Sequence, residues 1–179
     1  MIKTGETPFK VSRVEVAVLG LLAEQPMHGY GLFERFRMGG YPVDVGRASI
    51  YQCLRRLEQH GLVGGREQHG GQGPDRRVFK ITPAGHKRLL QGMRERFSRS
   101  DSAEAGLALA LWHLLPGAEG RRALDERERA LLGLIERVAV ERRSLGSSGA
   151  AEPGGILDRS EILAQAELGW LADFKARLP

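Results

Sequence analysis

The stretch Asp44-Val45-Gly46-Arg47-Ala48-Ser49-Ile50-Tyr51-Gln52-Cys53-Leu54-Arg55-Arg56-Leu57-Glu58-Gln59-His60-Gly61-Leu62-Val63 decides the fold. Ile50, Cys53, Leu54 and Leu57 recur at i, i+3, i+4 and i+7, so they share one face of a short helix. Asp44 is the expected N-cap and Gly61 the expected stop. The opposite face carries Ala48, Gln52 and Arg55, flanked by Ser49, Tyr51 and Arg56, with no carboxylate before Glu58. Arg can pair with guanine O6 and N7, and Gln with adenine N6 and N7, so this surface suits a DNA major groove. The plainer reading is an ordinary basic surface helix; the flanking segments decide between the two.

Downstream, Leu62 to Glu67 and Arg76 to Thr82 read as two strands of a wing, joined by a Gly-rich tip from His69 to Asp75 that is too long for a two-residue turn. A mobile tip is expected. Phe79 and Ile81 share one strand face, and Arg76, Val78 and Lys80 the other. Upstream, Arg13 to Glu24 is a helix opened by a capping box of Ser12 and Glu15, with Val14, Ala17, Val18, Leu21 and Leu22 as its buried stripe and Pro26 after it. A second helix begins near His28, which is assigned a capping or hydrogen-bonding role, with Tyr30 and Phe33 as core anchors. Gly29 and Gly31 weaken that helix, which implies another backbone close by. Gly39-Gly40-Tyr41-Pro42 turns into the next helix, giving a helix-turn-helix.

Four blocks together resemble one known family. They are Leu19-Gly20-Leu21-Leu22; His28-Gly29-Tyr30-Gly31-Leu32; Ser49-Ile50-Tyr51 followed by Leu54-Arg55-Arg56-Leu57-Glu58-Gln59-His60-Gly61-Leu62-Val63; and Arg77-Val78-Phe79-Lys80-Ile81-Thr82-Pro83-Ala84-Gly85. In order and spacing the chain resembles the PadR-family winged helix-turn-helix transcriptional regulators over roughly Val14 to Leu90. Gln52 stands where many members have Pro, so the DNA target cannot be carried over from relatives, and Phe79 stands where many have Tyr. The resemblance implies a homodimer joined through C-terminal helices, and regulation by a small aromatic or drug-like effector.

Charge is divided along the 179 residues. Residues 1–98 hold 16 Lys+Arg against 9 Asp+Glu, and the remainder 11 against 13, within an overall +5. A basic first half suggests that this part alone meets a polyanion. Cys53 is the only cysteine, which excludes an intramolecular disulfide and fits a reducing, cytoplasmic setting. On the apolar helix face it reads as a small buried hydrophobe; a redox-sensing thiol would need exposure. The N-terminal residues do not form a signal peptide, no apolar run approaches a membrane span, and residues 1–12 are expected to be a loose arm.

Thr82-Pro83 starts a helix that runs through Leu89, Leu90, Met93 and Phe97, and Ser98 to Ser102 is a break. Further helices are expected over Ala103 to Leu115, Arg121 to Leu145 and Leu157 to Leu178, with residues 146–155 as a loop. The last helix carries the row Ile162, Ala166, Trp170 and Phe174 with Leu163 beside it, assigned to a dimer interface. The fold class is therefore mostly α with a small β-wing: residues 1–98 a winged helix-turn-helix DNA-binding domain with its connecting helix, residues 99–179 a helical dimerisation and sensing domain.

His28, His60, His69, His86 and His113 have no metal-site spacing, and no nucleophile elbow, phosphate loop or dinucleotide fingerprint is present; no enzyme, cofactor or metal is expected. The expected activity is repression from a pseudo-palindromic operator on double-stranded DNA. Arg55 and Gln52 are assigned to base reading, and Ser49 and Tyr51 to phosphate or base edges. Arg47, Arg56, Arg76, Arg77 and Lys80 are assigned to phosphates. Trp112 and Trp170 are the candidates for an effector pocket, or else ordinary core and interface anchors. The alternative function is a winged-helix module that binds a protein partner.

Overall fold

The structure is a computed structural model that describes residues 11–70, 73–99, 102–148 and 155–178. The chain divides into two compact units, residues 1–93 with 106–114, and residues 94–105 with 115–179. The fold is mostly helical with one small antiparallel sheet, as the sequence predicts.

The first unit opens with α1 (Arg13–Glu24). Both halves of its capping box form: Ser12 Oγ accepts from the Glu15 N–H at 3.2 Å, and Glu15 Oε2 accepts from the Ser12 N–H at 2.6 Å. Val16 to Leu22 are buried almost all round the helix, whereas Val14 is only half-buried. The predicted loose arm is not loose at its end: Val11 is buried in the core, and residues 1–10 lie outside the described residues.

Two residues that sequence periodicity cannot flag, Met27 and His28, form the strand β1. The hairpin strands are β2 (Val63–Gly70) and β3 (Gly73–Ile81), longer toward the tip than predicted. The sheet order is β1-β3-β2, with Met27 opposite Phe79 and Val63 opposite Ile81. Of the predicted Gly-rich tip, residues 71–72 lie outside the described residues. Phe79 and Ile81 are buried together, as their shared face requires.

His28 caps α2 (Gly29–Arg37), its Nδ1 accepting from the Gly31 N–H at 2.8 Å. The core anchors differ from those predicted. Leu32 and Phe36, one turn apart, are buried, whereas Tyr30 is 47% exposed and Phe33 half-buried. The helix that follows the turn, α3 (Arg47–Gln59), begins two residues later than predicted. Its N-cap is Gly46, in an extended conformation, not Asp44, which lies too far upstream to reach the first turn's N–H groups. Ile50, Cys53, Leu54 and Leu57 are all buried, and Gly61 closes the helix at φ +65°.

One hydroxyl joins three elements at the end of the wing. Thr82 Oγ1 lies 2.7 Å from the Gly61 carbonyl and 3.1 Å from that of Leu62, and accepts from the Gly85 N–H at 3.0 Å. The last contact caps α4 (Pro83–Phe97), as the Thr-Pro pair predicts. A Cβ on Gly85 would stand 2.0 Å from the Leu62 carbonyl oxygen, so the close approach of α4 to the wing requires glycine there.

Helix α5 spans Ser102–Ala110 and is followed by a 3₁₀ turn at Trp112–Leu114. The second unit is dominated by α6 (Gly117–Ser148) and α7 (Ile156–Ala176). Gly146 and Ser147, predicted as loop, continue α6; Ser147 Oγ donates to the Ser144 carbonyl. Ser148 ends α6 and Gly155 caps α7, and residues 149–154 of that predicted loop lie outside the described residues. The buried rows of the two helices both repeat every seventh residue: Leu124, Leu131 and Val138 on α6, and Leu157, Ala164 and Leu171 on α7. This is coiled-coil-like spacing, and it turns the two helices together as an antiparallel pair.

Ion pairs line that seam. Arg142 meets Asp158 at 2.5 Å and Glu161 at 2.8 Å, and Lys175 meets Asp125 at 2.5 Å and Glu128 at 2.8 Å. Between them the fully buried Arg127 makes a two-pronged pair with Glu167, both contacts at 2.7 Å. Its guanidinium also donates to the Arg99 carbonyl, and its Nη2 lies 3.4 Å from Ser102 Oγ.

Candidate nucleic-acid interface

Burial of one face of α3 fixes what the other presents. Ala48, Ser49, Gln52 and Arg55 are exposed, and Tyr51 is 40% exposed. Neither Gln52 nor Arg55 is engaged by another described side chain. Gly29 lets α2 pack against this helix, since a Cβ there would lie 2.6 Å from the Tyr51 ring. The close neighbour predicted for the two glycines is thus a side chain and not a backbone; Gly31 faces the ring of His28.

The remaining basic residues assigned from the sequence fall into two groups. Arg76 and Lys80 are exposed and pair with no described carboxylate. The other three are already engaged. Arg47 lies over the rings of Tyr30 and Phe33, 5.1 and 5.5 Å from their centroids, a cation–π contact that holds the start of α3 to α2. This contact is why Tyr30 and Phe33 are not core residues. Arg56 Nε lies 3.3 Å from Glu15 Oε1, the carboxylate that also completes the capping box and whose side chain is almost wholly buried. Arg77 Nη2 lies 2.7 Å from Glu58 Oε1, 5.7 Å above the Phe79 ring, and that same Glu58 oxygen accepts from the Gly65 N–H at 3.0 Å. Arg55, Glu58, Arg76 and Arg77 line one groove of about 440 Å³ together with Tyr30 and Tyr51.

Sequence reading missed Glu15 and Glu58 as members of this surface. Their partners are distant along the chain, and only Glu58, as the first carboxylate after the basic face, gave a local hint. Cys53 beneath the surface is buried, and its thiol is pushed up to about 12, first by burial and then by the Glu15 charge, with Arg56 opposing. That environment matches a small hydrophobe and suppresses the reactive thiolate.

Trp112 is half-buried in the first unit. Trp170, in the second unit, is 40% exposed and stacked on Phe174 with centroids 5.0 Å apart. Ile162, Leu163 and Ala166 are exposed on the same helix, and Phe174 is half-buried. Among the described residues no cluster of three or more His, Cys, Asp or Glu side chains is placed to hold a metal ion, and no helix is long and apolar enough to cross a membrane.

Residues 18–91, which run from within α1 through α2, α3 and the wing into α4, match the model of the transcriptional regulator PadR-like family. The chain is also similar to transcriptional regulator Rv3488 of Mycobacterium tuberculosis, with 35% identity over 86 residues, 48% of this chain and 78% of that protein. The chain belongs to the PadR-like family of transcriptional regulators. Among solved structures, this PadR-like chain is similar to a transcriptional regulator from Clostridium thermocellum, with 25% identity, 46% of this chain and 80% of that one covered, and a TM-score of 0.42. It is similar to Bacillus subtilis PadR in complex with operator DNA at 15% identity, with 95% of this chain and all of that one covered (100%) and a TM-score of 0.44.

Proposed function

We propose that this PadR-like chain is a sequence-specific DNA-binding repressor that takes a pseudo-palindromic operator as a homodimer. The observation that carries the reading is the two-sidedness of α3. Its aliphatic face is fully buried, and Gln52 and Arg55 stand opposite, exposed and with no partner among the described side chains. Inserted in a major groove, Arg55 and Gln52 read base edges, while Ser49 and Tyr51 meet phosphates or base edges. Arg76 and Lys80 supply phosphate contacts from the wing. Arg47 and Arg56 contribute at the start and flank of the helix, within the limits set by their existing partners.

The dimer reading is supported by the apolar row on α7. Ile162 is 63% exposed and Leu163 44%, with Trp170 beside them and Leu132 and Val140 exposed on α6. Two copies joined there by a two-fold axis would set their α3 helices about one DNA turn, roughly 34–36 Å, apart. A small planar hydrophobic effector bound against Trp112 or Trp170 would shift that spacing and release DNA.

The test is a gel-shift titration on the upstream region of its own gene at two salt concentrations, with Arg55→Ala beside the parent protein. Arg55→Ala is expected to lose about 1–3 kcal/mol on the operator and to relax specificity at one position. Equal losses on operator and random duplex would remove Arg55 from base reading. Absence of any duplex binding by the parent protein would favour the protein-partner module.

A further inference from the structure

We propose that Glu58 is a specificity-determining residue: it holds Arg77 away from the DNA backbone and so suppresses binding to random sequence. The inference rests on the DNA-binding reading above. Phosphate contacts add affinity to every sequence alike, whereas base contacts add it to one. A regulator that must discriminate gains nothing from each further phosphate-seeking arginine on its binding face. Among the described residues, the groove between α3 and the wing is lined by three arginines, Arg55, Arg76 and Arg77, and one carboxylate, Glu58.

That carboxylate is committed in a particular way. Its Oε1 accepts from Arg77 Nη2 at 2.7 Å and from the Gly65 N–H at 3.0 Å, so it ties the α3 end to both wing strands. Arg77 is further held by the Phe79 ring beneath it, yet half of its side chain remains exposed. The guanidinium therefore stands half-exposed on the groove that Arg55 and Arg76 line, with its charge already neutralised by a neighbour only a hydrogen bond away. Arg55 and Arg76 on the same groove have no such neighbour among the described residues. Glu67 lies 4.0 Å from Arg77 and is more exposed, a looser contact that does not fix it.

The variant Glu58→Gln separates the two jobs of this side chain. Its amide oxygen still accepts from the Gly65 N–H, so the wing keeps its tie, but the charge on Arg77 is released. Binding of the full chain to a random-sequence duplex, measured by fluorescence anisotropy from 50 to 200 mM salt, is the readout. One additional phosphate contact steepens the slope of log K against log salt by about 0.9, which is roughly a 3.5-fold change across that range.

Glu58→Gln is expected to bind random duplex more tightly with this steeper slope. Glu58→Gln with Arg77→Ala is expected to return to the parent slope, and Glu67→Gln to change it less. A Glu58→Gln slope equal to or shallower than the parent's overturns the inference. So does a gain that survives in the double variant, or one that Glu67→Gln reproduces in full. If the parent protein itself shows no salt-dependent duplex binding, it is the DNA-binding reading that has failed, and the inference falls with it.

Discussion

Arg127 is a fully buried cation that, among the described residues, is paired with the Glu167 carboxylate and also meets the Arg99 carbonyl and the Ser102 hydroxyl. Glu167→Leu would leave that guanidinium in place with no counter-charge among the described residues. Removing one partner of a buried pair typically costs about 3–5 kcal/mol, because the other charge stays desolvated. With a urea dependence of about 2 kcal/mol per molar, the unfolding midpoint should fall by roughly 1.5–2.5 M. Arg127→Met should cost a similar amount, since Glu167 is itself mostly buried. The two changes together replace a buried pair with aliphatic groups of comparable volume and should be close to neutral. The assay is equilibrium urea unfolding followed by fluorescence in a Trp112→Phe background, so that Trp170, on α7, reports alone. Protein concentration is held fixed, because self-association would shift the midpoint by mass action. Losses below about 1 kcal/mol in both single variants, or a double variant as unstable as their sum, would falsify the reasoning that desolvation governs this site.

Three further outcomes are expected. Arg76→Ala should weaken operator and random duplex about equally and flatten the salt slope by about 0.9; a loss confined to the operator would contradict a phosphate role. Cys53, with its thiol pushed up to about 12, is almost wholly protonated below pH 9, so a thiol reagent at pH 8 should label it only after urea unfolding. Rapid labelling of the folded protein would refute its burial. Gly85→Ala should destabilise the first unit by about 1–3 kcal/mol, because the added methyl meets the Leu62 carbonyl; an unchanged thermal midpoint would show that α4 can withdraw from the wing.

What was legible in the sequence was local. The capping box of Ser12 and Glu15 and the Thr82-Pro83 start are satisfied within a few residues, so they mark α1 and α4 to the residue. The apolar face of α3 was equally readable, because four residues at helical spacing have one geometry. What failed depended on chain segments meeting in space. A strand of only Met27 and His28 has no periodicity and exists because β3 offers it an edge. Tyr30 reads as a core aromatic, but Arg47 gives its ring a partner at the surface. The exposed residues on α3 were predicted correctly by position, whereas Glu15 and Glu58, which decide which arginines are already committed, were not. On α7 the sequence marked the Ile162 row, which is exposed, but did not single out the row that packs on α6, Leu157, Ala164 and Leu171.

Thr82 gives the molecule a mechanical joint. Its single hydroxyl meets the chain just past α3 at Gly61 and Leu62 and caps α4, the helix whose residues pass from the first unit into the second. A hydroxyl has one proton to give, so a shift in the root of α4 cannot leave both carbonyls undisturbed. A displacement at the root of α4 would therefore be felt at the end of α3 through one side chain.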